Sequence, residues 1–202
     1  MISRRALFAA ALAAAAPLQP LHAAAAAPNA TVAAFYDALL ATMKVGAAIG
    51  FKGRTERLAP AVRRAFDLPL MTRLMVGPQW TGLTTEQQQQ LIAAFSEFSI
   101  ATYANRFDDY SGERFEVDPT PAATGNGVIV HTRLIKNDGD AVPIDYLMRD
   151  AAAAGWQIID VYLSGTVSEL ATRRSEFSSV LRRGGADALV DLLQKRAAQL
   201  RG

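Results

Sequence analysis

Side chains that can exchange protons are concentrated in one run of predicted strands in the second half of the chain. They are His131, Asp145, Tyr146, Asp160 and Tyr162. His131 and Asp145 stand at nearly matched distances from the turn sequence Asp138-Gly139, so a hairpin would make them near neighbours. A buried carboxylate with a raised pKa and a tyrosine facing an apolar pocket can serve as the base and acid of an isomerase or dehydratase. The alternative is that these groups point to solvent or hydrogen-bond a neighbour.

Other catalytic and metal chemistry finds little support in the sequence. The chain has no Cys, and His131 is the only histidine besides His22, which leaves no thiol site and little basis for a histidine metal site. It has no G-x-S-x-G sequence, and Gly125-Asn126-Gly127 lacks the third glycine of a dinucleotide loop. The segment Asn137-Asp138-Gly139-Asp140 is too short for a calcium loop and indicates a turn. We therefore expect no catalytic residue, no metal and no cofactor.

Helical signals fill the first half of the chain. Helices are predicted over residues 31–46, around 58–66, over 68–76 and over 84–107, and glycines indicate a loop over 46–53. Three of these helices begin at residues that favour helix starts: Thr31, Asp67 and the capping-box pair Thr84 and Gln87. Apolar residues at helical spacing mark the buried faces: Val32, Phe35, Leu39 and Met43, then Leu58, Val62 and Phe66, then Leu91, Phe95 and Phe98, with Tyr103 and Phe107 further along.

Strand signals follow, and helices close the chain. Strands are predicted at 115–117, 128–135, 142–148 and 157–163, joined by short turns that favour an antiparallel meander. Ser168 caps a helix to about Leu181, Gly184-Gly185 interrupts it, and a last helix covers Ala186–Leu200. The predicted fold class is α+β, a single domain with helices packed on a curved antiparallel sheet.

The strands carry large apolar groups on both faces, which allows two interpretations. Ile158 and Tyr162 alternate with Val161 and its neighbours, so no face is clearly polar, and part of the second face is expected to be covered. Either helices pack a solid core, or the sheet and helices enclose an apolar pocket, for which several Met residues would form an adaptable lining. The candidate lining residues, chosen by face, are Phe66, Met71, Leu74, Met75, Phe95, Phe98, Tyr103, Val130, Leu134, Ile144, Tyr146, Met148, Ile158, Val161 and Tyr162.

The N-terminus has the pattern of a secretory signal peptide. Arg4 and Arg5 precede an apolar run over residues 6–16, too short for a hydrocarbon core of roughly 30 Å, and small residues follow. We predict that residues 1–27 are removed and that residues 28–202 form the domain; an uncleaved anchor is the alternative. The chain has 21 Lys+Arg and 19 Asp+Glu, and losing Arg4 and Arg5 balances them. No excess of basic charge then indicates nucleic-acid binding.

Residues 155–185 carry a resemblance to a known family. The features are a strand that starts with Gly155-Trp156 and contains Asp160-Val161, then Gly165, then a helix with Arg174-Ser175-Glu176-Phe177. In these features the chain resembles the MlaC family of soluble periplasmic lipid carriers, which serve ABC transporters of the cell envelope. The sequence of residues 168–177 is most similar to the HpnM branch, whose members are associated with hopanoid lipids. The chain departs from phospholipid-carrying relatives at residues 166–167, where Thr-Val replaces the more frequent Val-Ser.

The resemblance implies a fold, a function and a set of partners. The fold is a cone of the NTF2-like or cystatin-like kind around an apolar pocket that holds acyl chains, so the candidate lining residues become lipid-binding residues. The function is to shuttle phospholipid or hopanoid-type lipid between envelope membranes, as the auxiliary component of an ABC transport system in the periplasm. The partners are the lipid, an inner-membrane ABC transporter complex and transient membrane-associated proteins. An NTF2-like enzyme acting on a small hydrophobic substrate and a lipid-free adaptor remain the alternatives.

Polar residues near the C-terminal helix also have two interpretations. Asp160 belongs to the family pattern without a catalytic role, and we expect it to hydrogen-bond backbone or an arginine such as Arg173 or Arg174. Arg173, Arg174, Arg182 and Arg183 form a basic patch, which is either a solvated helix face or a docking surface for an acidic partner or anionic headgroups.

Overall fold

Helices and an antiparallel sheet make up the fold, which confirms the predicted α+β class. The structure is a computed structural model that describes residues 27–125 and 127–201. Within these residues four helices precede a six-stranded sheet, and one long helix follows it. The elements are α1 (Pro28–Met43), α2 (Gly46–Ala65), α3 (Leu68–Val76), α4 (Thr85–Arg106), β1 (Arg114–Val117), β2 (Ala122–Thr124), β3 (Gly127–Ile135), β4 (Ala141–Asp150), β5 (Trp156–Leu163), β6 (Val167–Ser168) and α5 (Glu169–Gln199), with 3-10 turns at Gly77–Gly82 and Ala152–Ala154.

Two predicted boundaries at the start of the domain are wrong. Helix α1 begins at Pro28 rather than at Thr31, because proline fits the first turn of a helix. The glycines from residue 46 onward do not form a loop but open α2. A side chain at Gly46 would overlap the carbonyl oxygen of Asp108, and Gly50 has a φ of 62° that bends the helix. Glycine is therefore needed there for close packing and for a kink.

The predicted starts of α3 and α4 are confirmed. The Asp67 carboxylate accepts a hydrogen bond from the backbone N–H of Leu70 at 3.0 Å. Thr84 and Gln87 form the reciprocal capping box, with both hydrogen bonds at 3.2 Å. Each cap satisfies backbone N–H groups that have no partner within the helix. The end of α3 at Gly77 is also as predicted.

The sheet has the strand order β1-β3-β4-β5-β6, and β2 pairs with β3 as well. The β3–β4 hairpin closes through the predicted turn at residues 137–139. Between β4 and β5 the register shifts, so that Met148 faces Ile158 while Tyr146 faces Val161. Ile159 is the extra residue of this bulge. As a result Ile158 and Val161 both point to the buried face, where strict alternation would have placed them on opposite faces.

The helices pack on one face of the sheet, within the part of the chain that the structure describes. The core cluster joins all five helices to residues such as Val130, Tyr146 and Ile158 on that face. The alternating residues, such as His131 and Leu147, are only half-buried. The interpretation that helices cover both faces of the sheet therefore does not fit the described residues, while the half-burial of these side chains leaves part of the second face shielded, as expected. None of the described helices combines the length and apolar character needed to cross a bilayer.

The C-terminal helix is divided as predicted. Ser168 accepts a hydrogen bond from the backbone N–H of Ala171 at 2.9 Å and so caps α5. Gly185, with φ 70° and ψ −164°, interrupts the helical geometry. Helix α5 lies against α3 and α4, and Phe177 and Leu189 are buried on either side of the break. This first segment also borders the cavity described next.

Candidate functional site

An apolar cavity lies between the buried face of the sheet and helices α2 to α5. It contains about 840 Å³ of empty space including its mouth, of which about 120 Å³ has room for the centre of a water molecule. Because the larger volume includes open solvent, the smaller one is the measure to compare, and it lies below the roughly 300–1,000 Å³ of small-molecule sites. The residues around it are Val62, Phe66, Leu68, Met71, Phe95, Phe98, Ser99, Thr102, Tyr103, Arg106, Phe107, Ile144, Tyr146, Val161, Leu163, Glu169, Leu170 and Arg173.

More than half of the predicted lining residues border this cavity. They are Phe66, Met71, Phe95, Phe98, Tyr103, Ile144, Tyr146 and Val161. They come from the C-terminal end of α2, from α3 and α4, and from the central strands β4 and β5. In the structure these faces therefore meet around the cavity.

Seven predicted lining residues lie elsewhere. Met75, Val130, Met148 and Ile158 are buried in solid core, because their neighbours fill the space around them. Leu134 is near the outer end of β3, beside β1. Leu74 is 40% exposed and does not border the cavity. Tyr162 pairs with Asp145 and therefore shares the half-open face of the sheet.

Several lining residues were missed. Phe107 and Leu163 continue faces that the sequence pattern had already marked, so the same periodicity would have found them. Leu170 and Glu169 belong to the first turn of α5, whose position over the cavity depends on the β5–β6 turn. Sequence periodicity carries no information about that placement.

Aromatic rings form the inner wall. The Tyr103 ring meets Phe35 edge-on at 5.2 Å between centroids and stacks with Phe107 at 6.0 Å. Phe66 lies 5.5 Å from Tyr103 and 6.5 Å from Tyr146. Offset and edge-to-face contacts of this kind hold aromatic rings in place. The wall is therefore rigid and apolar.

The tyrosines in and behind this wall stay uncharged. Burial raises the pKa of Tyr146 and of Tyr103 well above the usual value, because the phenolate would lose its hydration. Burial likewise raises the pKa of Tyr36 to about 12. The Tyr36 and Thr132 hydroxyls are 2.6 Å apart, and Thr132 in turn donates to the Ile144 carbonyl. The phenols add hydroxyl groups but no charge to the interior.

Besides the tyrosines, five polar or charged side chains of α4 and α5 border the cavity: Ser99, Thr102, Arg106, Glu169 and Arg173. The hydroxyls of Ser99 and Thr102 donate to backbone carbonyls of their own helix, both at 2.8 Å, and so have partners without a ligand. Arg173 lies 5.2 Å from the centroid of the Phe98 ring and forms ion pairs with Glu169 at 3.4 Å and Glu176 at 3.1 Å. Arg106 is exposed and the other four are partly exposed, and we call this polar side of the cavity its mouth, where a polar group of a ligand would meet water.

The candidate acid–base residues lie outside the cavity, apart from Tyr146. His131 pairs with Asp145 across the hairpin, as predicted, with Nδ1 to Oδ1 at 3.1 Å on the half-open face of the sheet. Asp160 accepts hydrogen bonds from the backbone N–H of Val161 and Leu170 and from the Ser168 hydroxyl. The predicted structural bond of Asp160 to backbone is thus confirmed, and its role is to anchor the start of α5.

The four arginines of the predicted basic patch do not share one environment. Arg173 is paired with carboxylates, and the guanidinium of Arg174 lies against Gly77 of the 3-10 turn. Arg182 and Arg183 are exposed. In residues 27–125 and 127–201, no cluster of three histidine or acidic side chains is placed to hold a metal ion.

Comparisons with known proteins agree with this architecture. The family model described as "MlaC protein" matches residues 33–195. The toluene tolerance protein ttg2D of Pseudomonas putida is 26% identical over 105 residues, which cover 52% of this chain and 47% of that protein. The match thus spans about half the length of this curated relative.

A solved structure extends the similarity to nearly the whole chain. It is a phospholipid-binding protein from Ralstonia solanacearum in complex with a phospholipid. Its TM-score is 0.76 at 28% identity, covering 88% of this chain and 100% of that one. The family model covers most of the present sequence, and the arrangement of helices on an antiparallel sheet is shared with this neighbour. The chain belongs to the MlaC protein family.

Proposed function

We propose that this protein is a lipid carrier that holds acyl chain in the cavity and leaves the headgroup at the mouth. The observation that carries the proposal is the apolar, aromatic-walled cavity, which partly exposed polar side chains of α4 and α5 also border. The bound phospholipid of the Ralstonia solanacearum neighbour supports it.

The energetics of a carrier account for this design. Moving one methylene out of water is worth about 0.8 kcal/mol, so a sixteen-carbon chain gains roughly 12 kcal/mol in an apolar site. A soluble carrier must offer nearly as much to compete with a bilayer. An uncharged wall of Phe66, Phe98 and Tyr146 meets that need, because it presents hydrocarbon surface without a charge to desolvate.

A glycerophospholipid is the ligand we favour, and a hopanoid is the second candidate. The hopanoid hypothesis depends on the helix sequence over residues 168–177. In that segment Phe177 is buried under Arg196, whose guanidinium lies 5.1 Å from the ring centroid, and Arg174 packs on Gly77. Phe177 and Arg174 pack α5 and do not line the cavity, whereas Glu169, Leu170 and Arg173 of the same segment border it, so the packing of this segment does not by itself favour either lipid. The phospholipid of the structural neighbour is the more direct support.

The cellular role we propose is that of the auxiliary component of an ABC transport system in the periplasm, with an inner-membrane transporter complex as partner. It is supported by family membership and by the signal-peptide pattern, although residues 1–26 lie outside the described residues. The enzyme alternative is weakened by the position of His131, Asp145 and Asp160, none of which borders the cavity. The adaptor alternative leaves the cavity without a role.

The test is native mass spectrometry of the protein purified from the bacterial envelope, followed by organic extraction. We expect a mass increment of one lipid and a phospholipid in the extract. Protein that is empty in every preparation, and that takes up no lipid from vesicles, would favour the adaptor or the enzyme.

A further inference from the structure

The outer surface of helix α3 combines apolar and basic side chains. Leu74 is 40% exposed, and Leu70, one helical turn before it, is half-buried. Residues four apart are neighbours on a helix, so the two leucines form a continuous apolar strip. Arg73 follows Leu70 by three residues and is exposed. A strip of hydrocarbon with a cation beside it therefore faces solvent.

Helix α5 adds a second cation at the end of this strip. The guanidinium of Arg174 lies against Gly77, where α3 ends, and a Cβ at Gly77 would be 3.1 Å from its Nη2 atom. Arg174 is itself exposed. We call the surface formed by Leu70, Arg73, Leu74 and Arg174 the α3–α5 surface.

No acidic residue near α3 in the sequence is free to neutralise Arg73. Between Glu56 and Glu86 the chain contains a single acidic residue, Asp67. Asp67 is buried and forms its ion pair with Arg149. Arg73 forms no salt bridge with any residue that the structure describes.

The carboxylates of the first segment of α5 are engaged as well. Glu169 pairs with Arg173, and Glu176 pairs with both Arg173 and Arg196. Arg174 has no such partner in residues 27–125 and 127–201. The α3–α5 surface thus keeps its positive charges for an anionic partner.

The buried side of the same helix borders the cavity. Leu68 and Met71 line it, and Met71 precedes the exposed Leu74 by three residues. An α-helix with its side chains is about 10–12 Å across. A partner that contacts the α3–α5 surface is therefore separated from the cavity by a single helix.

We propose that the α3–α5 surface docks the protein on an anionic bilayer, with the two leucines entering the headgroup region and the arginines contacting anionic headgroups. Apolar side chains flanked by cations are the features by which a helix binds at a membrane interface. Two leucines and two arginines give weak, reversible attachment, which suits a carrier that must leave again. The inference rests on the proposed function, since docking brings the cavity to the bilayer that gives or receives the lipid.

The experiment is co-sedimentation with vesicles of dioleoylphosphatidylcholine, either alone or mixed with dioleoylphosphatidylglycerol, at low and at high salt. The proteins are the wild type, Arg73→Gln, Arg174→Gln and Leu74→Ser. Lys195→Gln removes an exposed cation from the second segment of α5, and Val45→Ser alters an apolar side chain that is 36% exposed at the junction of α1 and α2. These two variants are the controls for charge and for apolar exposure. Circular dichroism checks folding, and native mass spectrometry measures the lipid that each protein carries.

We expect the wild type to sediment with the anionic vesicles and much less with phosphatidylcholine alone. Each arginine variant should bind the anionic vesicles roughly fivefold more weakly, the factor for one basic residue near an anionic membrane. Leu74→Ser should also weaken binding, and its effect should persist at high salt, which screens the arginines and not the leucine. Both controls should bind as the wild type does, and all variants should still carry lipid.

Three results would overturn the inference. Wild-type protein that carries lipid but does not sediment with anionic vesicles would exclude a bilayer and point to an acidic protein as the partner. Wild-type binding by both Arg73→Gln and Arg174→Gln would remove the surface from the contact. Equal losses in Arg73→Gln and Lys195→Gln would assign the binding to net charge alone. Protein that docks on vesicles yet never carries lipid would instead contradict the proposed function.

Discussion

Replacing Val161 with aspartate tests the proposed lipid site at a position with well-defined surroundings. Val161 is 8% exposed, pairs with Tyr146 on β4 and borders the cavity. With lipid bound, an aspartate there faces hydrocarbon and must take up a proton or carry its charge into an apolar medium. With an ordinary pKa of about 3.9 and about 1.36 kcal/mol per pH unit, protonation at pH 7 costs at most about 4 kcal/mol on binding, since a side chain already buried in the empty protein meets part of that cost on folding. Lipid affinity should fall by up to roughly a thousandfold.

The same reasoning predicts a pH dependence for this variant. At pH 5 the cost of protonation falls to about 1.5 kcal/mol, so the affinity of Val161→Asp should recover about a hundredfold. Binding of a fluorescent phospholipid, measured at pH 7 and pH 5 on protein shown to be folded, gives both numbers. Ile159→Asp is the matched control, since Ile159 is the bulge residue of the same strand and does not border the cavity. A folded Val161→Asp protein with wild-type affinity at pH 7 would refute the assignment of this strand face.

Three further predictions concern stability. Arg54→Met should lower the Tm by roughly 4–8 °C in a thermal melt. The buried Arg54 guanidinium donates to the carbonyls of Ala104 and Gly46, and leaving these carbonyls without a partner costs about 2 kcal/mol. An unchanged Tm would mean that water replaces the guanidinium. Asp160→Ala should lower the Tm by a similar amount and speed amide hydrogen exchange in the first turn of α5, where Asp160 accepts the N–H of Leu170. Exchange in that turn no faster than in the rest of α5 would mean that Asp160 does not anchor the helix. Burial raises the pKa of Tyr36 to about 12, whereas its pKa in the unfolded chain is about 10. Neutral Tyr36 therefore contributes its full stabilisation below pH 10, and this stabilisation is lost as the pH rises toward 12, because the unfolded chain releases the proton first. Urea denaturation at pH 8 and pH 11 should show this loss, and Tyr36→Phe should reduce it.

Local signals in the sequence were sufficient for most helix starts and for the hairpin. Asp67 and the Thr84–Gln87 pair satisfy N–H groups a few residues away, so the chemistry that decides these caps is contained in the pattern itself. The turn at residues 137–139 is equally local, and it correctly placed His131 beside Asp145. The start of α1 was misplaced because Thr31 is a good cap residue but Pro28 fits the first turn three residues earlier.

Features that depend on tertiary contacts were not predictable. The bulge at Ile159 adds a residue to β5, and strict alternation cannot anticipate it. The role of Gly46 is visible only when Asp108 lies against it. Both are consequences of how distant segments meet.

The candidate site was predicted as a set of faces but not as a cavity. Met148 and Ile144 lie on the same face of β4, yet Met148 is in solid core and Ile144 borders the cavity. The difference depends on whether the helix opposite fills the space, and hydrophobic periodicity is the same in both cases. The mouth was missed for a related reason, because Arg106 and Glu169 are distant in sequence and border the same cavity only through the packing of α4 against α5.

The most direct test of the central claim is a crystal structure of the protein as purified from the bacterial envelope. We predict continuous tubular density along the wall formed by Phe66 and Tyr146, ending at the mouth between Arg106 and Arg173. A cavity closed by side-chain repacking, or filled only by discrete waters, in protein that still carries lipid by mass would contradict the account.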